Sequence, residues 1–175
     1  MALVVFLRGV NVGGHRTFRP KVLAEQLKHY DPVNIGAAGT LVIRKPVSPS
    51  KLLAELQRLL PFKTEVMICA GRDLVALASK DPFGNASVPS DVVRFVSVLP
   101  ARPRAVPSLP LNFPPNGGWL LRILATDRRF VFGMYRRHMK AIQYLGRMDT
   151  VFGMPVTTRN WNTITAIIKV LKGVP

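Results

Sequence analysis

The chain has 175 residues, 48% of them hydrophobic, so it can bury a core without help from a metal ion or a disulfide. Cys69 is the only cysteine, which excludes an internal disulfide and a cysteine-based zinc cluster and is typical of a cytoplasmic protein. The 25 Lys and Arg against 9 Asp and Glu give a net charge of +16, which favours polyanionic partners, although an Arg-rich background composition explains the charge equally well.

The first half predicts one complete βαββαβ unit. The apolar run Leu3 to Leu7 is typical of a buried strand rather than of a signal peptide, because Arg8 follows it directly. The patterns then predict a helix from Pro20, strands at 33–37 and 40–43, a helix from Ser48 to Pro61 and a strand at 65–70. This order is that of a ferredoxin-like unit, in which two helices cover one face of a four-stranded antiparallel sheet. No apolar run approaches the roughly 20 residues needed to span a bilayer.

The second half resembles a degenerate copy of the same plan. It predicts strands at 92–99, 119–125, 129–135 and 154–157, with helices at 137–147 and 160–172. Six prolines between residues 100 and 117 predict a long irregular connection where the first helix would lie, because interior prolines break helices. The predicted fold is therefore α+β, with two ferredoxin-like halves with antiparallel sheets: residues 1–80, a linker at 81–90, and a degenerate half at 91–175.

Two motifs suggest an anion site. After the first strand, Arg8-Gly9-Val10-Asn11-Val12-Gly13-Gly14 forms a loop whose backbone N–H groups would cradle a phosphate or carboxylate; alternatively, the glycines only permit a tight turn. In Thr157 to Thr163, Thr158 or Asn160 would cap the last helix, which leaves Arg159 either exposed or bound to an anion. The candidate anion-binding residues are Arg8, Asn11, Gly13, Gly14, Arg159 and Asn160.

The same two motifs carry a family resemblance. The chain resembles an uncharacterised bacterial family of domains of unknown function that opens with Leu-Leu-Arg-Gly-Ile-Asn-Val-Gly-Gly and closes with Thr-x-Arg-Asn-Trp-Asn-Thr. Asp81-Pro82-Phe83 is similar to the Pro-Phe of that family. The resemblance implies a two-part α/β fold with ferredoxin-like subdomains and implies no reaction. One departure is Ala38-Gly39-Thr40, where relatives carry Ser-Gly-Asn, so a ligand held by those Ser and Asn side chains would lack them here.

A basic segment defines a candidate nucleic-acid surface. No acidic residue occurs between 128 and 148, and its cationic candidates are Arg128, Arg129, Arg136, Arg137, Lys140 and Arg147. Arg136, Lys140 and Arg147 are spaced for one stripe on the predicted helix, which would follow a phosphate backbone. Phe130 and Phe132 would stack on bases or, because they alternate on one face of a strand, belong to the core.

Catalytic chemistry is not indicated. The three histidines are scattered, Cys69 lies in a predicted buried strand, and the acidic residues show no paired-carboxylate motif. The sequence assigns no catalytic residue, no cofactor and no metal site. The leading hypothesis is non-catalytic binding of RNA or DNA through the basic C-terminal surface. The alternative is a small-molecule anion-binding protein or enzyme whose site joins the Arg8–Gly14 loop with Arg159.

Overall fold

The computed structural model describes residues 1–10 and 17–173, which divide into two compact units. Unit 1 comprises Met1–Lys80 and the chain from Thr163 onward, whereas unit 2 comprises Asp81–Asn162. The C-terminal helix therefore groups with unit 1 from Thr163, although the sequence pattern assigned it to the second half. The predicted linker at residues 81–90 lies inside unit 2.

Unit 1 contains a ferredoxin-like sheet, as predicted. Its strands are β1 (Leu3–Leu7), β2 (Pro32–Ile35), β3 (Thr40–Ile43) and β4 (Val66–Ala70). Its helices before residue 80 are α1 (Pro20–Gln26), α2 (Pro49–Leu59) and α3 (Gly71–Ser79), with a short 3-10 helix at Lys28–Tyr30. The strand order β2-β3-β1-β4 is antiparallel throughout. This is the sheet order of a ferredoxin-like fold.

A capping residue and the packing of the core explain the position of helix α2 in unit 1. In α2, Ser48 accepts a hydrogen bond from the Lys51 N–H at 3.3 Å and Pro49 occupies the first turn, so this helix begins where the sequence predicted. Leu52 and Leu56 of α2 pack with Leu3 and other residues of β1 in one apolar cluster. Every residue of β1 is buried, which confirms the continuous apolar run as a central strand.

Unit 2 repeats the plan with one strand added. Its strands are β5 (Val92–Val98), β6 (Leu111–Phe113), β7 (Leu121–Asp127), β8 (Phe130–Arg136) and β9 (Thr157–Asn160). Its helices are α4 (Met139–Leu145) and α5 (Met148–Phe152), and α6 (Trp161–Leu171) follows β9 directly. The antiparallel order is β6-β7-β8-β5-β9. Without β6, this order matches the four strands of unit 1 position by position.

The added strand corrects the expectation of a wholly irregular connection over residues 100–117. Leu111–Phe113 pairs with β7 at the outer edge of the sheet. Because an edge strand has a neighbour on one side only, the prolines Pro110 and Pro114 beside it break no hydrogen bonds that the sheet requires. No helix forms in this connection, as its proline content predicts.

The end of unit 2 also differs from prediction. The expected strand at 154–157 is instead β9 (Thr157–Asn160), so the Thr-x-Arg-Asn run is extended backbone. Asn160 directly precedes α6, which is the cap position of that helix, and the predicted cap stays a prediction. Pairing with β5 holds this segment extended, with Val96 opposite Arg159 and Phe95 opposite Asn160. Cys69 is buried in β4, as expected. Within the described ranges, no helix is both long and apolar enough to cross a membrane.

Gly133 gives a test of the packing in the centre of unit 2. A Cβ atom added at Gly133 in β8 would lie 2.5 Å from the Arg122 carbonyl oxygen and 2.5 Å from Cζ of Phe95. We expect Gly133→Ala to lower the free energy of unfolding by about 1–3 kcal/mol, the usual cost of overpacking. Gly118→Ala is the matched control, because no atom lies within 4 Å of its added Cβ. Equal denaturation midpoints for the two variants would contradict this close approach.

Candidate anion-binding site

A pocket of about 230 Å³ opens in unit 2 where strand β5 begins. Its polar lining residues are Arg94, Arg137, Asn160, Trp161 and Asn162, and three valines complete the wall. We call this the Arg94 pocket. Two arginines and two asparagines therefore line one concavity, together with a tryptophan.

Strand pairing explains why these residues meet. Strand β5 pairs antiparallel with β8 on one side, where Val92 lies opposite Arg136, and with β9 on the other, where Phe95 lies opposite Asn160. The start of β5 thus lies beside the ends of both neighbouring strands. Arg94 comes from β5, Arg137 follows β8 directly, and Asn160 ends β9. Residues distant in sequence are brought together by this register.

The pocket is electropositive. No aspartate or glutamate contributes to its lining. The nearby carboxylate, Asp91, accepts a hydrogen bond at 3.0 Å from Nη1 of Arg136, which is not a lining residue. Helix α6 begins at the pocket wall with Trp161, so the positive end of its dipole adds to the same field. The arrangement is therefore suited to an anion rather than to a cation.

Arg94 is held in place but not fully hydrogen-bonded. One of its terminal nitrogens, Nη2, donates to the carbonyl oxygen of Ala86, and its guanidinium lies 5.6 Å from the centre of the Phe83 ring. Its Nε is buried and has no acceptor in the described part of the chain. A buried donor without an acceptor is costly.

Arg137 is the second cation. Its backbone N–H donates to the Asp91 carbonyl oxygen at 2.7 Å, which fixes the main chain at the end of β8. Its side chain is exposed, and in residues 1–10 and 17–173 it has no ion-pair or hydrogen-bond partner. Since no group in the described part of the chain competes for this guanidinium, it is available for a charge-assisted hydrogen bond to a ligand.

Of the four candidate residues in the Arg8–Gly14 loop, the structure describes Arg8, which lies in unit 1. Asn11, Gly13 and Gly14 fall among residues 11–16, which the structure does not describe. Nη1 of Arg8 lies 3.6 Å from Oε1 of Glu65, and its carbonyl oxygen accepts a hydrogen bond from Thr64. A site that joins this loop with Arg159 stays a prediction.

Arg159 is not a solvent-facing residue at a helix N-terminus. It lies in β9, is 7% exposed, and its Nη1 donates to Thr157 Oγ1 at 3.1 Å and to the Thr158 carbonyl oxygen at 2.9 Å. Burial lowers the pKa of its guanidinium to about 10, so it remains a cation at neutral pH. Its partner in the predicted anion site, Asn160, does line the Arg94 pocket.

The predicted nucleic-acid residues are not on one helix. Arg136 ends strand β8, Lys140 lies in α4, and Arg147 lies between α4 and α5. The sequence predicted a helix over residues 137–147, but α4 covers only Met139–Leu145. It ends before Gly146, and glycine has a low helix propensity. Strand β8 lies between Arg129 and Arg137, and the eight residue steps that join them span about 26 Å along the strand.

Several of these cations have structural partners. Arg129 donates from Nε to the Leu99 carbonyl oxygen at 2.6 Å, and Arg128 has a left-handed backbone, φ 56°, in the β7–β8 turn. The guanidinium of Arg147 lies 5.4 Å from the Tyr144 ring centre. Phe130 and Phe132 are 2% and 5% exposed, so they are core residues rather than stacking platforms.

The net positive charge of the chain is not concentrated in unit 2. Unit 2 has eleven Lys and Arg and four Asp, a net +7, whereas unit 1 has fourteen Lys and Arg and five Asp and Glu, a net +9. Sequence reasoning missed Arg94, although a signal was present: it is the one charged residue in the largely apolar strand Val92–Val98. Among the described residues, no group of three His, Cys, Asp or Glu side chains is placed to hold a metal ion.

Arg136 and Arg137 are adjacent in sequence, but replacing each with alanine should change the stability by a different amount. Arg136 pairs with Asp91, donates from Nε to the Trp119 carbonyl oxygen at 3.1 Å and lies 4.5 Å from the Trp119 ring centre. We expect Arg136→Ala to lower the free energy of unfolding by about 2 kcal/mol and Arg137→Ala to change it by less than about 0.5 kcal/mol. Urea denaturation checks both; equal losses would contradict these assignments.

The comparisons with known proteins identify a family but no activity. Residues 1–110 match a family described as "Protein of unknown function (DUF1697)". No curated protein is detectably similar in sequence. The fold is similar to that of a solved structure, the conserved bacterial protein SP0830 from Streptococcus pneumoniae, with a TM-score of 0.58 and 13% identity over 98% of each chain. The chain therefore belongs to the DUF1697 family of proteins of unknown function.

Proposed function

We propose that this protein binds a small anionic ligand through a phosphate or carboxylate group held in the Arg94 pocket. The observation that carries the proposal is a concave site lined by Arg94 and Arg137 without any acidic side chain. Two guanidinium groups offer planar, forked donors whose geometry matches the oxygens of such anions. Asn160 and Asn162 add neutral donors and acceptors that would orient the rest of the ligand.

The proposal predicts that inorganic phosphate and pyrophosphate bind to the full chain and that Arg94→Gln weakens both. A hydrogen bond to a charged group contributes about 1.5–3 kcal/mol, so we expect a loss of affinity of about tenfold or more. Calorimetric titration at low salt measures the affinity, and circular dichroism checks that the variant is folded. Arg137→Gln is the second variant, since its exposed side chain is not needed for folding.

Arg104→Gln is the matched control, because it removes the same charge from an exposed position of unit 2 that does not line this pocket. Its affinity should equal that of the wild type. The proposal is wrong if phosphate and pyrophosphate do not bind, or if the control loses as much affinity as Arg94→Gln.

A second candidate function is binding of single-stranded nucleic acid. The observation in its favour is that Arg137, Lys140 and Arg147 are exposed in a segment, 128–148, without acidic residues. Such cations would contact successive phosphates, independently of base sequence. Lys140 and Arg147 do not line the Arg94 pocket, so variants separate the two candidates.

For nucleic-acid binding we expect the double variant Lys140→Gln with Arg147→Gln to lower the salt slope for a single-stranded RNA by about 1.4, since each lost phosphate contact changes it by about 0.7. Fluorescence anisotropy over low to moderate salt measures that slope. The pair Arg102→Gln with Arg104→Gln removes the same charge elsewhere in unit 2 and should leave it unchanged. Absence of binding at low salt refutes this second candidate.

A further inference from the structure

The Arg94 pocket has an aromatic wall in addition to its cations. Trp161 is half-buried and lines the pocket as the first residue of α6. Its ring stands edge-to-face against Phe83, with centroids 5.1 Å apart and an interplanar angle of 72°. The guanidinium of Arg94 lies over the Phe83 ring. The centroids of the Phe83 and Phe132 rings are 6.5 Å apart. The indole is thus held in a fixed position next to the cationic part of the site.

We propose that the ligand of this pocket is a nucleoside 5′-monophosphate group, either free or at the 5′ end of an oligonucleotide; this rests on the anion-binding function proposed above. The two arginines hold the phosphate, and the base stacks on Trp161. An edge-to-face contact occupies only part of an aromatic side chain, so the partner Phe83 fixes the indole without covering the whole of it.

The remaining polar groups suit the same ligand. Asn160 and Asn162 each carry a carbonyl oxygen and an amide N–H₂, the pair of functions that hydrogen-bonds the edge of a base or the hydroxyls of a ribose. Both side chains are exposed at the pocket wall.

The size of the pocket supports an end group rather than a large enclosed molecule. Its volume, about 230 Å³, lies below the roughly 300–1,000 Å³ of pockets that enclose drug-sized ligands. The phosphate and one ring contact fit within such a space, while the remainder of the ligand extends into solvent. This geometry accommodates a mononucleotide and the terminal nucleotide of a longer chain equally.

The test compares the affinities of the full chain for adenosine 5′-monophosphate, uridine 5′-monophosphate and ribose 5-phosphate by calorimetric titration. Both nucleotides should bind at least about fivefold more tightly than ribose 5-phosphate, which lacks the base. In Trp161→Leu this ratio should fall towards one, whereas Trp161→Phe should retain most of it because a phenyl ring still stacks. The ratio is insensitive to a general loss of pocket structure, which would weaken all three ligands together.

Equal affinities for ribose 5-phosphate and the nucleotides would overturn the nucleotide assignment and leave the anion-binding function intact. Failure of phosphate, ribose 5-phosphate and nucleotides alike would instead refute the anion site itself. Competition by a short oligonucleotide with a 5′-phosphate, but not by its 5′-hydroxyl counterpart, would identify the terminal nucleotide as the source. Binding of the mononucleotides without competition by either oligonucleotide would identify the free nucleotide.

Discussion

The antiparallel pairing of strand β5 with β8 on one side and β9 on the other is the constraint on which the candidate site depends. This pairing places the first residues of β5 beside the last residues of both neighbours. Each of those ends then leaves the sheet, β8 towards α4 and β9 into α6, so side chains from three segments surround one gap. The backbone hydrogen bonds of the sheet therefore set the relative positions of these three segments.

The arginine side chains of unit 2 differ in whether they have partners within the protein. Arg159 is buried with hydroxyl and carbonyl acceptors, and Arg136 is engaged by Asp91 and Trp119. These cations have internal roles that explain their presence. Within residues 1–10 and 17–173, the Arg137 side chain has no hydrogen-bond or ion-pair partner, and Arg94 retains a buried donor without an acceptor. Local partners, rather than the net charge of the chain, therefore distinguish structural cations from those that can hold a ligand.

The two sheets share one strand order, but proline content makes the second copy depart from the first. Helix α1 of unit 1 has no counterpart in unit 2, where residues 100–120 form the irregular connection and the edge strand β6. Prolines cannot supply the N–H groups that a helix needs. The face that a helix would cover is closed in part by Leu109, Leu111 and Phe113, which pack against the core of unit 2.

The sequence by itself determined the class of the fold and most of its elements. The sequence predicted strand β1 from its apolar run, the start of α2 from its serine and proline, and the duplicated strand order. These features could be predicted because they depend on local periodicity and capping. The sequence also proposed Asn160 and Arg137 as candidate binding residues, but in two different sites.

Only the tertiary structure decided which residues lie together. The Thr157–Asn160 segment is a strand because β5 pairs with it, and no local propensity reports such a non-local partner. The same pairing buries Arg159 and brings Arg94, Arg137 and Asn160 around one pocket. Sequence spacing predicted a stripe of Arg136, Lys140 and Arg147 by assuming one continuous helix, whereas the chain forms a strand, a turn and two short helices there. Strand register is set by pairing across the sheet, and for that reason the site could not be read from the chain alone.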